Sequence, residues 1–149
     1  MNLRILLAAT LSLSFFAGAH AVDKAPVNAG PYVPSPSSVV ADMLGLAEVG
    51  PKDYVIDLGS GDGRIVLTAA KVFGARGFGV EIKDDLVRRS NEAAKKEGLA
   101  ERVKFMKQDL FKTDMSQATV ITMYLLPDTV NLLKDKFLNE LRPGTRIVS

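Results

Sequence analysis

The chain has 149 residues, 47% of them apolar and 24% charged, which is the balance of one folded domain and excludes a disordered chain. Its net charge is +2, and its cations alternate with acids, as in Lys83-Asp84-Asp85 and Lys95-Lys96-Glu97, so they read as a solvated face rather than a nucleic-acid surface. There is no cysteine and one histidine, His20; the domain is therefore expected to work without disulfides, zinc, metal centres, or Cys and His nucleophiles.

The chain opens with Met1-Asn2-Leu3-Arg4, a charged start, followed by an apolar run from Ile5 to Ala17 and the small-residue pair of Ala19-His20-Ala21. This is the pattern of a secretory signal peptide over residues 1–21, cleaved after Ala21, and it predicts an exported, periplasmic domain. An uncleaved membrane anchor is the alternative, although the run falls short of the roughly 20 residues that a bilayer span needs. A lipoprotein anchor is excluded by the missing cysteine. Cleavage would remove His20 as well.

Residues 22–38 form an extended, proline-rich lead-in, because Pro31, Pro34 and Pro36 forbid helix. The folded domain is expected over 39–149. Ser37 or Ser38 is placed to cap a first helix, Val39 to Ala47, stopped by Gly50-Pro51. Tyr54 to Leu58 reads as a buried strand, and Arg64 to Phe73 as a helix with Ile65, Ala69, Val72 and Phe73 on its apolar face. Gly77 to Glu81 is a second strand. Asp84 to Lys96 is a helix with Leu86, Val87, Ser90, Ala93 and Ala94 inward. Val103 to Lys107 makes a third strand and Ala118 to Leu125 a fourth, rich in β-branched residues. Asp128 would cap a helix carrying Val130, Leu133, Phe137 and Leu141, and Thr145 to Ser149 begins a fifth strand. Strands alternating with helices predict an α/β fold with a doubly wound, mostly parallel sheet. Ligands in such sheets bind beyond the carboxyl ends of the strands, where strand order reverses.

The candidate site lies at that rim. Asp57-Leu58-Gly59-Ser60-Gly61-Asp62-Gly63 is a glycine turn between the first strand and the next helix, a context shared by dinucleotide-binding proteins. Two features speak against a dinucleotide and an NAD-type oxidoreductase. Arg64 stands where that fingerprint needs its third glycine. Asp57 and Asp62 would oppose a pyrophosphate, whereas the sulfonium and ammonium of S-adenosylmethionine welcome carboxylates. Glu81, ending the second strand, can accept from two ribose hydroxyls, which suits either ligand. Asp109, ending the third, can accept from the adenine amine with Leu110 or Phe111 against the ring. Asp57 at a buried strand end needs a partner, whereas Asp62 reads equally well as a helix cap.

Val55 to Val66 resembles the first motif of the class I, seven-strand S-adenosylmethionine-dependent methyltransferases, and Glu81 and Asp109 match that superfamily's ribose and adenine positions. Tyr32-Val33-Pro34-Ser35 and Gly79-Val80-Glu81 are similar to a group of small exported or membrane-associated enzymes related to the mitochondrial lysine methyltransferases of the ATP synthase c subunit. The resemblance implies a Rossmann-like domain, S-adenosylmethionine bound by Asp57, Gly59, Ser60, Gly61, Asp62, Gly63, Glu81, Asp109 and Leu110, and a methyl acceptor that is a protein lysine or a small molecule, with a membrane protein one such substrate. Members continue into sixth and seventh strands, so a fold truncated after the fifth is expected.

The acceptor side should be Tyr124-Leu125-Leu126-Pro127-Asp128, closing the fourth strand. Enzymes acting on base amines commonly carry Asp or Asn with consecutive prolines there, so nucleic acid is not the expected acceptor. Tyr124 and Tyr32 are the candidate catalytic residues, lining a channel in which a lysine amine is desolvated and loses its proton more readily. Tyr124 also has a plain reading as a packed strand aromatic, Tyr32 as part of a structured lead-in, and the whole domain as a non-catalytic binder of the cofactor.

Overall fold

The computed structural model describes residues 31–149, so the signal segment, its anchor alternative and residues 22–30 of the lead-in lie outside the described residues. Among these residues the chain builds α1 (Ser37–Leu46), β1 (Tyr54–Leu58), α2 (Arg64–Phe73), β2 (Arg76–Glu81), α3 (Asp84–Lys96), β3 (Val103–Lys107), β4 (Val120–Met123), α4 (Pro127–Leu132), α5 (Lys134–Glu140) and β5 (Arg146–Val148). The strands form one sheet in the order β3-β2-β1-β4-β5, and every pair is parallel. Strand order therefore reverses between β1 and β4, where ligands of such sheets are expected to sit.

Alternation along the strands divides the core. Val55 and Val120 pack with Val40, Met43 and Leu44 of α1 and with Ile65 and Ala69 of α2, while Val103 and Phe105 meet Val66, Ala70 and Ala94. The intervening strand residues Ile56, Leu58, Val80, Ile121 and Met123 point the other way, against Leu110, Met115 and Leu133. Both faces are thus covered, which is why the central strands are apolar on both sides. Among the buried polar side chains, Asp57 and Thr122 are register partners on β1 and β4.

Several local expectations change. Neither Ser37 nor Ser38 caps α1; its N-cap is Pro36, with no side-chain bond. Val72 is 68% exposed rather than part of the buried face; the buried stripe of α2 instead includes Val66, Leu67 and Ala70, because this helix meets two clusters at once. The fourth strand is shorter than expected at both ends: Ala118 closes a turn by donating its N–H to the Met115 carbonyl, and Tyr124 and Leu125 lie past the end of the ladder at Met123. The single helix expected after it is two, α4 and α5. Leu133 between them donates its N–H to the Val130 carbonyl three residues back, a tightened turn that lets its side chain bury completely. Asp128 is not a cap either. The N-cap of α4 is Leu126 with Pro127 at the first helical position, and Asp128 sits in the first turn, where its charge suits the helix dipole.

Candidate functional site

A cavity of about 260 Å³ opens at the carboxyl ends of β1, β2 and β4. It is lined by Asp57, Gly59, Ser60, Gly61 and Asp62 from the turn, by Glu81, Asp109 and Leu110 from the neighbouring strand ends, and by Tyr32 and Tyr124. Gly63 stands behind this wall. It begins α2 at φ 83°, and a Cβ there would strike Phe105 and Ser90, so its part is to let the helix close onto the sheet.

The turn is held from both ends. The amides of Gly59 and Ser60 donate to the Val80 carbonyl, and the Gly61 amide donates to Glu81 Oε2 at 3.0 Å. The second oxygen of Glu81 accepts from the amides of Ile82 and Lys83. Glu81 therefore ties the turn to the end of β2 while lining the cavity. Gly61 lies at φ 54°, and a Cβ on it would sit 2.5 Å from a ring carbon of Tyr32. Only glycine lets that ring and the turn approach so closely.

Asp57 is 1% exposed. Its Oδ1 accepts from the Thr122 hydroxyl at 2.7 Å, but its Oδ2 is buried with no partner, as is Ser60 Oγ. Burial pushes the Asp57 carboxyl up to about 7, against the Thr122 hydrogen bond that pulls it down, and the negative charges of Glu81 and Asp62 add to the rise. An unpartnered buried polar atom costs about 1–3 kcal/mol. Two of them on residues lining one cavity fit a ligand that brings a donor or a positive charge.

Asp62 lines the cavity and also serves the start of α2: the N-cap position is Gly63, with no side-chain bond, but Asp62 Oδ1 accepts from the Arg64 amide at 3.3 Å. Its carboxylate is not open. Arg64 grips it with a fork, Nε to Oδ1 at 2.9 Å and Nη2 to Oδ2 at 2.6 Å. Hydrogen bonding from Arg64 holds the Asp62 carboxyl below its usual range against the opposing effect of burial. The Tyr32 phenol lies near Asp62, and burial together with the Asp62 charge raises the phenol above its ordinary value. Arg64 was not singled out in the sequence, where it served only to break a glycine fingerprint. Its partners, Asp62 two residues away and the Ser35 carbonyl at 2.7 Å, show its part.

Asp109 caps the short 3-10 turn Leu110–Lys112, its Oδ1 accepting from the Phe111 amide, and this fixes buried Leu110 at the cavity wall. Tyr124 is 49% exposed at the opposite wall, next to Leu125, whose side chain rests over Gly59. The candidate cofactor-binding and catalytic residues all line this cavity apart from Gly63, whereas Phe111 and, on the acceptor side, Leu126, Pro127 and Asp128 do not.

Residues 57–149 match the model of the ANTKMT methyltransferase domain. The chain belongs to this methyltransferase family. A protein-lysine N-methyltransferase of Saccharolobus islandicus (strain REY15A) is 48% identical over 120 residues, covering 80% of the chain and 74% of that protein. A Caenorhabditis elegans lysine N-methyltransferase of the ATP synthase c subunit is 34% identical over 125 residues, covering 80% of the chain and 65% of that protein. The crystal structure of an RNA methyltransferase from Salinibacter ruber with S-adenosyl-L-homocysteine superposes with a TM-score of 0.76 at 50% identity, covering 77% of the chain and 75% of that structure. The Rossmann-like class I fold expected from the sequence is the observed one, and the protein is an S-adenosylmethionine-dependent methyltransferase. The NAD-type oxidoreductase reading falls with that. The site fits the cofactor on its own terms: two orphaned buried polar atoms on residues of its lining, suited to a ligand that brings a donor or a positive charge, and Glu81 and Asp109 at adjacent strand ends.

Proposed function

We propose that this methyltransferase acts on the side-chain amine of protein lysines, with the cofactor held by Asp57, Gly59, Ser60, Gly61, Glu81, Asp109 and Leu110. S-adenosylmethionine supplies a methyl group already activated by its sulfonium, so the protein has only to align an acceptor with it. The observation that carries this reading is the wall made by Tyr124 and Leu125, followed by half-exposed Leu126. It offers a ring, a phenol and aliphatic carbon, with no carboxylate or amide to read a base edge. An amine entering there leaves water, which lowers its pKa and frees the lone pair that attacks. Tyr124 is the residue placed to orient that amine. The relatives named as lysine methyltransferases support the same acceptor. Exposed apolar side chains, Val33 at 61% in the cavity lining and Leu126 at 53% next in the chain to the lining residue Leu125, suit a membrane-protein segment as the surroundings of the target lysine. In this reading the signal pattern of residues 1–21 supports an exported domain working in the periplasm.

One observation favours a second acceptor, because the similar Salinibacter ruber structure is that of an RNA methyltransferase. Labelled S-adenosylmethionine, offered with membrane and periplasmic protein in one reaction and with total RNA in another, separates the two. Label that survives nuclease, is lost to protease and elutes as methyl-lysine supports the proposal. Label confined to RNA overturns it.

A further inference from the structure

We propose that Arg64 is a positioning residue for cofactor retention, latching residues 31–36 across the mouth of the cavity by holding the Ser35 carbonyl and Asp62 at the same time. This rests on the cofactor site and is independent of the acceptor.

Residues 31–36 have no strand or helix of their own, and prolines at 31, 34 and 36 remove three backbone donors. Even so, Ser35 is 5% exposed and residues 31–35 all line the cavity. Polar links between this segment and the turn gather in one cluster. Arg64 Nη1 donates to the Ser35 carbonyl at 2.7 Å, its other two nitrogens grip Asp62, and the Tyr32 phenol lies close enough to feel the Asp62 charge. The Tyr32 ring then lies on Gly61, on the turn that lines the cavity from the other side.

Arg64 is well chosen for this. It is the first residue of α2, so its backbone is fixed by the turn itself, and its amide also donates to Asp62 Oδ1. A planar fork can satisfy a carboxylate and a carbonyl together, where a lysine ammonium acts as a point charge and would hold one or the other. Because Asp62 belongs to the glycine turn, the strap cannot lift without disturbing the turn's partner network. A cofactor seated between turn and strap would hold the latch closed, and an open latch would let it leave.

The test uses the full chain and calorimetric titration with S-adenosyl-L-homocysteine, needing no acceptor. Arg64→Gln should raise Kd about tenfold, the size expected for losing a charge-assisted hydrogen bond, and Arg64→Lys should recover only part of that affinity. In the same proteins, cleavage by a protease within residues 31–36 should be slowed by the ligand in the parent and much less in Arg64→Gln. Tyr32→Ala should also weaken binding. The double variant should bind about as weakly as the weaker single one, since both act through one strap. If Arg64→Gln fails to fold, Arg64→Lys carries the test, and it must still raise Kd at least threefold. An unchanged Kd in the folded Arg64 variants overturns the proposal, and so do effects of Arg64 and Tyr32 that multiply independently.

Discussion

Replacing Asp57 with Asn should change how stability depends on pH, and the structure gives the size of the effect. The folded carboxyl titrates at about 7 against an ordinary 3.8, so between these values the native protein holds a proton that the unfolded chain has lost. Such a group contributes its full stabilisation below about 3.8, and that contribution disappears as pH rises through 7. Across pH 5 to 8 this amounts to a loss of about 2–3 kcal/mol. Asp53 and Asp62 are shifted the other way. Their contributions are present above the ordinary carboxylate range and are lost only as pH falls below it, outside this window. Asn keeps an acceptor for Thr122 but cannot ionise. Urea unfolding at pH 5, 6, 7 and 8 should therefore show the parent losing about 2–3 kcal/mol relative to Asp57→Asn over that range. S-adenosylmethionine, being cationic, should favour the ionised carboxylate, so its affinity for the parent should climb from pH 6 to 8 and stay flat for the variant. Parallel stability profiles for the two proteins would refute the assignment of a buried, protonated Asp57.

Other substitutions probe separate parts of the molecule. Gly61→Ala must fit a Cβ 2.5 Å from the Tyr32 ring at a positive φ; it should cost about 1–2 kcal/mol in unfolding free energy and weaken cofactor binding in a titration. Tyr124→Phe should lower turnover while leaving cofactor Kd unchanged, a split visible when kcat and binding are measured side by side; unaltered turnover removes Tyr124 from the acceptor channel. Leu133→Ala empties a fully buried position between α4 and α5 and should lower stability by about 2–5 kcal/mol, measured by denaturant unfolding, with no direct effect on the cofactor site.

Much of this was legible from the residues because local and global signals agree. β1, α2, α3 and β3 have the bounds that apolar spacing and glycine stops imply, and the glycine turn sits between a strand and a helix as its sequence context requires. What escaped were partners distant in sequence and details of helix ends. Asp57 finds Thr122 across 65 residues; a hydroxyl in the otherwise apolar run Val120–Met123 was the available sign. Arg64 finds Ser35 across 29 residues, and nothing in local spacing announces that. Ser37, Ser38 and Asp128 have the side chains of caps, yet Pro36 and Leu126 occupy the cap positions, because proline geometry and packing set where those helices begin. The idea of a cavity floored by open carboxylates also needed amendment: of the two acids of the turn, one is shielded by a guanidinium and the other is held near neutrality by its burial.

The two walls of the cavity come from segments far apart in the chain, the strap before α1 and Tyr124-Leu125 after β4, while the turn between them belongs to the core. A protein divided in this way can exchange its clientele without renegotiating its fuel. Tyr124 and Leu126 are about half exposed and lie outside the strand ladder, so randomising them should yield folded, cofactor-competent variants that differ in what they modify.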